Sequence, residues 1–265
     1  MKLSGKVAVV TGASQGVGRA YVLALARAGA TVIASSRSMG ASPPAGSLAG
    51  TVQLAAKEGL RVEGIVCDMG DESQINRLAE EVIGNHGRID VIVNNAATYP
   101  GAHTTPNFDP LKYTAADWDM YLRVNVLGPY FLINRLAPYM IAQSSGSIVN
   151  VTSEAGISST YGTAAHYGML GYAVSKAAVN RMTLYFAEEL RQHGIAVNAL
   201  NPGAVMTAVW RAVPEEMKES YIQAGTVKAA TAEVMGPHIV HLALQNASTL
   251  TGQILDADAF GKSWP

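Results

Sequence analysis

Tyr172 and Lys176 stand four residues apart in Tyr172-Ala173-Val174-Ser175-Lys176, at the head of a strongly helical stretch, so their side chains share one helix face. A free phenol has a pKa of about 10 and is a poor acid or base at neutral pH. An adjacent ammonium favours the phenolate and draws the group toward useful values, which suits the pair to moving a proton on or off a substrate oxygen. Taken alone, the pair is also an ordinary aromatic–lysine contact on an exposed helix. Tyr167 is set aside as a rival because Gly171 stands four positions after it; it reads as a substrate-rim or loop aromatic. Ser153 closes the run Ile148-Val149-Asn150-Val151-Thr152, where its hydroxyl can donate to an oxygen on which negative charge develops, or satisfy local backbone. Asn125 lies within a long helical pattern, a poor place for an amide that competes for backbone groups, so it marks either a distortion or a function.

These residues need a scaffold, and the hydrophobic pattern supplies one. Short apolar runs at Lys6–Thr11, Thr31–Ser35, Arg61–Cys67, Val91–Asn94, Ser147–Thr152, Ala196–Leu200 and Gln253–Leu255 read as strands. They are continuous, not alternating, as parallel strands covered on both faces should be. Helical stretches lie between them at Gly16–Ala28, Gly50–Glu58, Ser73–His86, Ala115–Ala142, Tyr172–His193 and Ala230–Gln245. The alternation predicts an α/β fold: a single Rossmann-type, doubly wound parallel sheet of about seven strands flanked by helices on both faces, in one domain over residues 1–265. Loops at Ser38–Gly50, Tyr99–Tyr113 and Glu154–Gly171 each follow a strand and are expected on the carboxyl rim of the sheet, where ligands bind.

The first strand runs into Thr11-Gly12-Ala13-Ser14-Gln15-Gly16-Val17-Gly18-Arg19 and then a helix. Glycines there let the backbone turn tightly against a pyrophosphate while the helix N-terminus offers free N–H groups. The Gly12, Gly16, Gly18 spacing resembles the Thr-Gly-x-x-x-Gly-x-Gly motif of the short-chain dehydrogenase/reductase (SDR) family, and the resemblance spans nearly the whole chain. Asp68 matches the family's adenine-contacting aspartate, with Met69 beside it. Asn94-Asn95-Ala96-Ala97 matches its Asn-Asn-Ala-Gly segment, with Ala97 in place of glycine. Asn125, Ser153, Tyr172 and Lys176 match its catalytic set, and Asn201-Pro202-Gly203, with Val205 and Thr207, its turn beside the nicotinamide.

The resemblance implies carbonyl–alcohol interconversion by hydride transfer with a nicotinamide cofactor. Tyr172 would be the general acid/base and Lys176 would lower its pKa and hold the nicotinamide ribose. Ser153 would steady the oxygen, and Asn125 would hold a relay water. Family serines usually lie nearer the tyrosine, so 154–171 reads as an insertion; Ser159 has the usual distance, but Ser153 has the strand-end context.

After the second strand comes Ala34-Ser35-Ser36-Arg37-Ser38. A neutral Ser36 where an acid would repel a 2′-phosphate, with the Arg37 guanidinium beside it, favours NADP (NADPH) over NAD. Gln15 weighs the other way, since NADP-using relatives often carry a basic residue there. The 154–171 segment brings Tyr161, His166 and Tyr167 toward the expected mouth, and 205–225 carries Val209, Trp210, Val213, Met217 and Tyr221 at helical spacing. Tyr161, Tyr167, Trp210 and Ser153 are thus the candidate substrate contacts, for a small, hydrophobic ketone or secondary alcohol. That apolar face would equally serve a subunit contact.

Composition removes other classes. With 19 basic and 20 acidic residues, a net charge of -1 and no basic run, nothing suggests nucleic acid or an anionic membrane as partner. The single cysteine, Cys67, permits no internal disulfide, and no targeting segment is evident, so a cytoplasmic protein is expected. No metal-ligand pattern stands out. Relatives of this kind form homotetramers or dimers through the two long helices, so a homo-oligomer is expected. The competing functions are an NAD-dependent alcohol or hydroxysteroid-type dehydrogenase, and a dinucleotide-binding regulatory protein without turnover.

Overall fold

Seven short segments pair in parallel as one sheet, in the order β3-β2-β1-β4-β5-β6-β9. They are β1 (Val7–Thr11), β2 (Thr31–Ser36), β3 (Val62–Val66), β4 (Val91–Asn94), β5 (Gly146–Val151), β6 (Ile195–Asn201) and β9 (Ile254–Asp256). Two further strands, β7 (Val205–Met206) and β8 (Lys228–Thr231), form a small parallel pair of their own. The computed structural model describes residues 1–40, 46–98, 110–157, 170–203, 205–206 and 228–264.

The continuous apolar runs follow from this layering. Successive strand residues face opposite sides, and each side carries its own core. Val9, Ile33, Ile92, Ile148 and Val197 pack with Ile75, Leu78, Leu132 and Leu136, which come from α3 (Glu72–His86) and α5 (Gly128–Gln143). Val10, Val32, Val93, Val149 and Leu200 pack on the other face with Tyr21 and Leu25 of α1 (Gly16–Arg27) and Ile239 and Leu242 of a short C-terminal helix (Gly236–Ala243). The expected doubly wound sheet is therefore present. Edge strand β3 departs from the fully buried pattern: Glu63 and Val66 are exposed, because no strand lies beyond it.

Three of the departures from the expected helix boundaries have identifiable reasons. The helix expected at Gly50 begins earlier, as α2 (Leu48–Lys57), because Ser47 caps it by accepting the Gly50 N–H at 3.0 Å. The long helix expected over Ala115–Ala142 is α4 (Ala115–Leu122), then a π-helical turn (Arg123–Leu127), then α5. The π turn holds Asn125, whose side chain binds neighbouring segments; such turns occur frequently at functional sites. The helix expected over Ala230–Gln245 is instead strand β8, a 3-10 turn and a helix starting at Gly236, with Pro237 at its first turn, where a missing N–H does no harm. The catalytic-motif helix is α6 (Leu170–Arg191) and the C-terminal helix is α7. Among the described residues no helix is long and apolar enough to cross a membrane.

Candidate functional site

The carboxyl end of β1 delivers the chain into the glycine-rich turn. Gly12 and Gly16 sit at φ +66° and +55°, left-handed backbone that favours glycine. A Cβ on Gly18 would run into the Gly12 carbonyl and stand 2.5 Å from Asn95 Nδ2, so the turn closes only with glycine there. Asn95 Nδ2 donates to the carbonyls of Thr11 at 2.9 Å and Gly12 at 3.2 Å. In return Thr11 Oγ1 accepts the N–H groups of Asn95 and Ala96 at 3.1 and 3.0 Å. The ends of β1 and β4 are thereby stitched together. Ser14 and Val17 are half-buried and Gln15 is exposed. Gln15 precedes α1 without capping it, and the first turn has no acidic residue. The positive end of α1 is thus left for an anion, which is what a dinucleotide pyrophosphate requires.

Along the rim, Ser36 and Arg37 follow β2; Ser36 Oγ donates to Ser38 O at 2.9 Å, and the Arg37 side chain is exposed. Asp68 and Met69 follow β3. Asp68 Oδ1 accepts the Gly70 N–H at 2.8 Å and its own N–H donates to Gln74 Oε1 at 3.0 Å, which fixes the carboxylate at the strand end. Met69 is buried under the start of α5, where a Cβ on Gly128 would lie 2.5 Å from Met69 O. On the other flank, Asn201 Oδ1 accepts the Gly203 N–H at 3.1 Å and the Val205 N–H donates to Gly203 O at 3.2 Å, shaping the Pro202-Gly203 turn with Gly203 at φ +67°.

The four candidate catalytic residues come together from three elements. Lys176 is 3% exposed, its Nζ donates to Val151 O at 2.7 Å, and it lies 5.6 Å from the centroid of the Tyr172 ring. Burial pushes the Lys176 ammonium down to about 8. Tyr172 itself is half-buried. Ser153 leaves β5 and caps a 3-10 turn (Glu154–Gly156), its Oγ accepting the Ala155 N–H at 3.2 Å. That turn rests on α6: a Cβ on Gly156 would be 2.7 Å from Lys176 C, and Asn180 Nδ2 donates to Gly156 O at 3.1 Å. The turn that Ser153 caps is thus held against α6 at Lys176 and Asn180, while Ser158 and Ser159 lie outside the described residues. Asn125, 1% exposed, accepts the Thr98 N–H at 2.7 Å and donates to Thr98 O and Ser175 Oγ, both at 2.9 Å.

Tyr161, His166, Tyr167, Thr207 and Trp210 also lie outside the described residues. Several groups that shape the site have little signature in the sequence. Glu154 Oε2 accepts from Asn201 Nδ2 at 3.0 Å, tying the Ser153 turn to the Pro202 turn. Asn94, Asn150 and Thr183 form a buried chain, Asn94 Nδ2 donating to Asn150 Oδ1 at 2.8 Å and Asn150 Nδ2 to Thr183 Oγ1 at 2.9 Å. Their only sequence signal was polar residues inside otherwise apolar runs. Among the described residues no group of three or more His, Cys, Asp or Glu side chains is arranged to hold a metal ion.

Comparison with known proteins agrees with this geometry. The short chain dehydrogenase family profile matches residues 6–218. A 3-oxoacyl-(acyl-carrier-protein) reductase, FabG, of Thermotoga maritima is 37% identical over 97% of this chain and 98% of its own. A fluoren-9-ol dehydrogenase of Terrabacter is 32% identical, over 96% of this chain and 71% of its own. Among solved structures, a putative NAD(P)-dependent gluconate 5-dehydrogenase from Beutenbergia cavernae with bound NADP superposes at a TM-score of 0.80, with 32% identity, covering 96% of this chain and 95% of its own. The chain belongs to the short-chain dehydrogenase/reductase family and is an NAD(P)-dependent oxidoreductase acting on carbonyl and alcohol groups.

Proposed function

We propose that the protein is an NADP-preferring oxidoreductase that interconverts a small, hydrophobic ketone and its secondary alcohol, with Tyr172 as general acid/base. The observation that carries this reading is the placement of Lys176, buried beside the Tyr172 ring with its Nζ anchored on Val151 O.

The nicotinamide cofactor, when bound, supplies the hydride chemistry. Residues of the chain do the rest. Gly12, Ser14, Gln15, Gly16, Val17 and Gly18 form the turn under the pyrophosphate and adenosine ribose. Ser36 and Arg37 would hold the ribose 2′-position and Asp68 and Met69 the adenine, with Asn95 and Ala96 as the floor. Pro202, Gly203 and Val205 would flank the nicotinamide, and Thr207, expected with them, lies outside the described residues. Tyr172 gives its proton to the substrate oxygen in reduction and takes it back in oxidation. The Lys176 ammonium favours the phenolate between these steps and would hold the nicotinamide ribose. A Lys176 that titrates near 8 is still mostly charged at neutral pH, so the assistance is available where it is needed. Ser153 donates to the same substrate oxygen as charge develops on it. The Asn125 side chain is committed to Thr98 and Ser175. A relay water at this residue must therefore use the second lone pair of Oδ1 or the main-chain carbonyl.

NADP is favoured by the absence of an acid at Ser36 and by the exposed Arg37 guanidinium. NADP is also the molecule named with two similar structures, the Beutenbergia protein and a metagenomic short-chain oxidoreductase 29% identical to this chain. The deciding experiment is Tyr172→Phe assayed with NADPH and a panel of ketones. Turnover should vanish while NADPH affinity stays within about twofold, and retained turnover would overturn the assignment.

A further inference from the structure

The glycine-rich turn is gripped from behind by two side chains. Thr51, fully buried near the start of α2, donates its hydroxyl proton to Ala13 O at 2.8 Å. Arg19 of α1 donates from Nη2 to Ser14 O at 2.7 Å and from Nε to Thr51 Oγ1 at 3.2 Å. One residue from each of two helices thus converges on consecutive carbonyls of the turn.

In a planar trans peptide the C=O and the following N–H point in opposite directions. Fastening Ala13 O toward α2 aims the Ser14 N–H away from it, and fastening Ser14 O does the same for the Gln15 N–H. Among the described residues neither N–H donates a hydrogen bond to the protein. The segment before α2 also passes against this point: a Cβ on Gly46 would stand 2.7 Å from Gln15 Oε1.

We propose that Thr51 and Arg19 are positioning residues of the cofactor site, which hold the Ser14 and Gln15 N–H groups on the phosphate-bearing adenosine ribose of the dinucleotide. The proposal rests on the nicotinamide-cofactor reading given above.

Thr51→Val removes the hydroxyl at similar volume, and Thr51→Ser keeps it. The measurements are the Kd of NADPH by fluorescence, the Kd of adenosine 2′,5′-bisphosphate by calorimetry, and the melting temperature of the unliganded protein. Loss of a hydrogen bond that orients two donors should weaken both ligands about tenfold in Thr51→Val, while Thr51→Ser stays within about twofold. The KM for NADPH should rise with kcat largely retained. Arg19→Gln should act in the same direction, and the double variant should lose less than the two singles multiplied, because the residues share a hydrogen bond. A folded Thr51→Val that binds both ligands as the wild type does overturns the proposal, even if its melting temperature falls. Should Thr51→Val fail to fold, Arg19→Gln decides by the same criterion. A wild-type protein that binds neither NADPH nor NADH overturns the cofactor reading and this proposal together. If only NADH binds, the NADP preference fails alone, and weakened NADH binding in Thr51→Val still upholds the positioning role.

Discussion

Asn125 Nδ2 donates to Ser175 Oγ at 2.9 Å, joining the π turn between α4 and α5 to the catalytic-motif helix across 50 residues of sequence. Ser175 Oγ in turn donates to Tyr172 O at 2.7 Å, so the amide reaches the tyrosine's own backbone through one hydroxyl. Asn125→Ala removes this link and both hydrogen bonds to Thr98. Losing three buried hydrogen bonds at one site should lower stability by about 2–3 kcal/mol. For a chain of this size that is a fall of several degrees in Tm. Urea denaturation with parallel kinetics checks it: kcat should fall alongside, and a variant as stable and as active as wild type would show that the link positions nothing.

Gly18 makes a sharper case, because the atoms a Cβ would meet cannot yield. The Gly12 carbonyl is backbone, and Asn95 Nδ2 is already held by two carbonyls. Gly18→Ala should therefore open the turn, destabilising the protein by about 1–3 kcal/mol. NADPH affinity should fall more than about tenfold. Normal fluorescence titration of the variant with NADPH would mean that the turn accommodates a Cβ at this position.

Much of this was legible in the sequence, for a physical reason. Parallel strands buried on two faces leave continuous β-branched runs, and the glycine turn leaves a spaced triplet that few other constraints produce. Ser153 stands two residues past β5, the strand-end context on which the sequence favours it over Ser158 and Ser159, which lie outside the described residues. The sequence did not show what the side chains of Thr51, Arg19, Glu154 and Asn150 would reach, since apart from the short Arg19–Ser14 bond the partners that matter lie 32 to 56 residues away and hydrogen bonds of that span have no local signature. Thr51 looked like a routine helix residue and Glu154 like loop. The π turn at Asn125 was likewise hidden, because helical periodicity continues on both sides of it and only the misplaced asparagine betrayed a distortion.

Burial of Lys176 predicts a pH signature. The folded value, about 8, lies below the ordinary 10.5 because burial disfavours the charged form. Between these two values the unfolded chain holds more protons than the folded one, so stability rises with pH there. The contribution is complete above the unfolded value and is lost as pH falls through about 8. Lys176→Met removes the titration, so the stability of wild type relative to this variant should climb by on the order of a few kcal/mol from about pH 7 to about pH 10. Denaturant titrations of both proteins over that range test it, and a flat difference would show that the ammonium is solvated.

Arg37 tests cofactor choice. Its side chain is exposed, so a phosphate pair there is partly screened and should be worth about 1 kcal/mol or somewhat more. Arg37→Ala should then raise the Kd of NADPH about tenfold and that of NADH less than about twofold, because only the former carries the 2′-phosphate. The complementary change is Ser36→Asp, which places a carboxylate at the end of β2. It should repel the phosphate, accept from the 2′-hydroxyl of NADH, and so reverse the preference. Raising the salt concentration should shrink the Arg37 effect but leave the fixed hydrogen bonds of the glycine turn, since mobile ions screen an exposed charge far more than a buried one. Equal losses for both cofactors in Arg37→Ala would defeat the NADP preference and leave the general nicotinamide site standing.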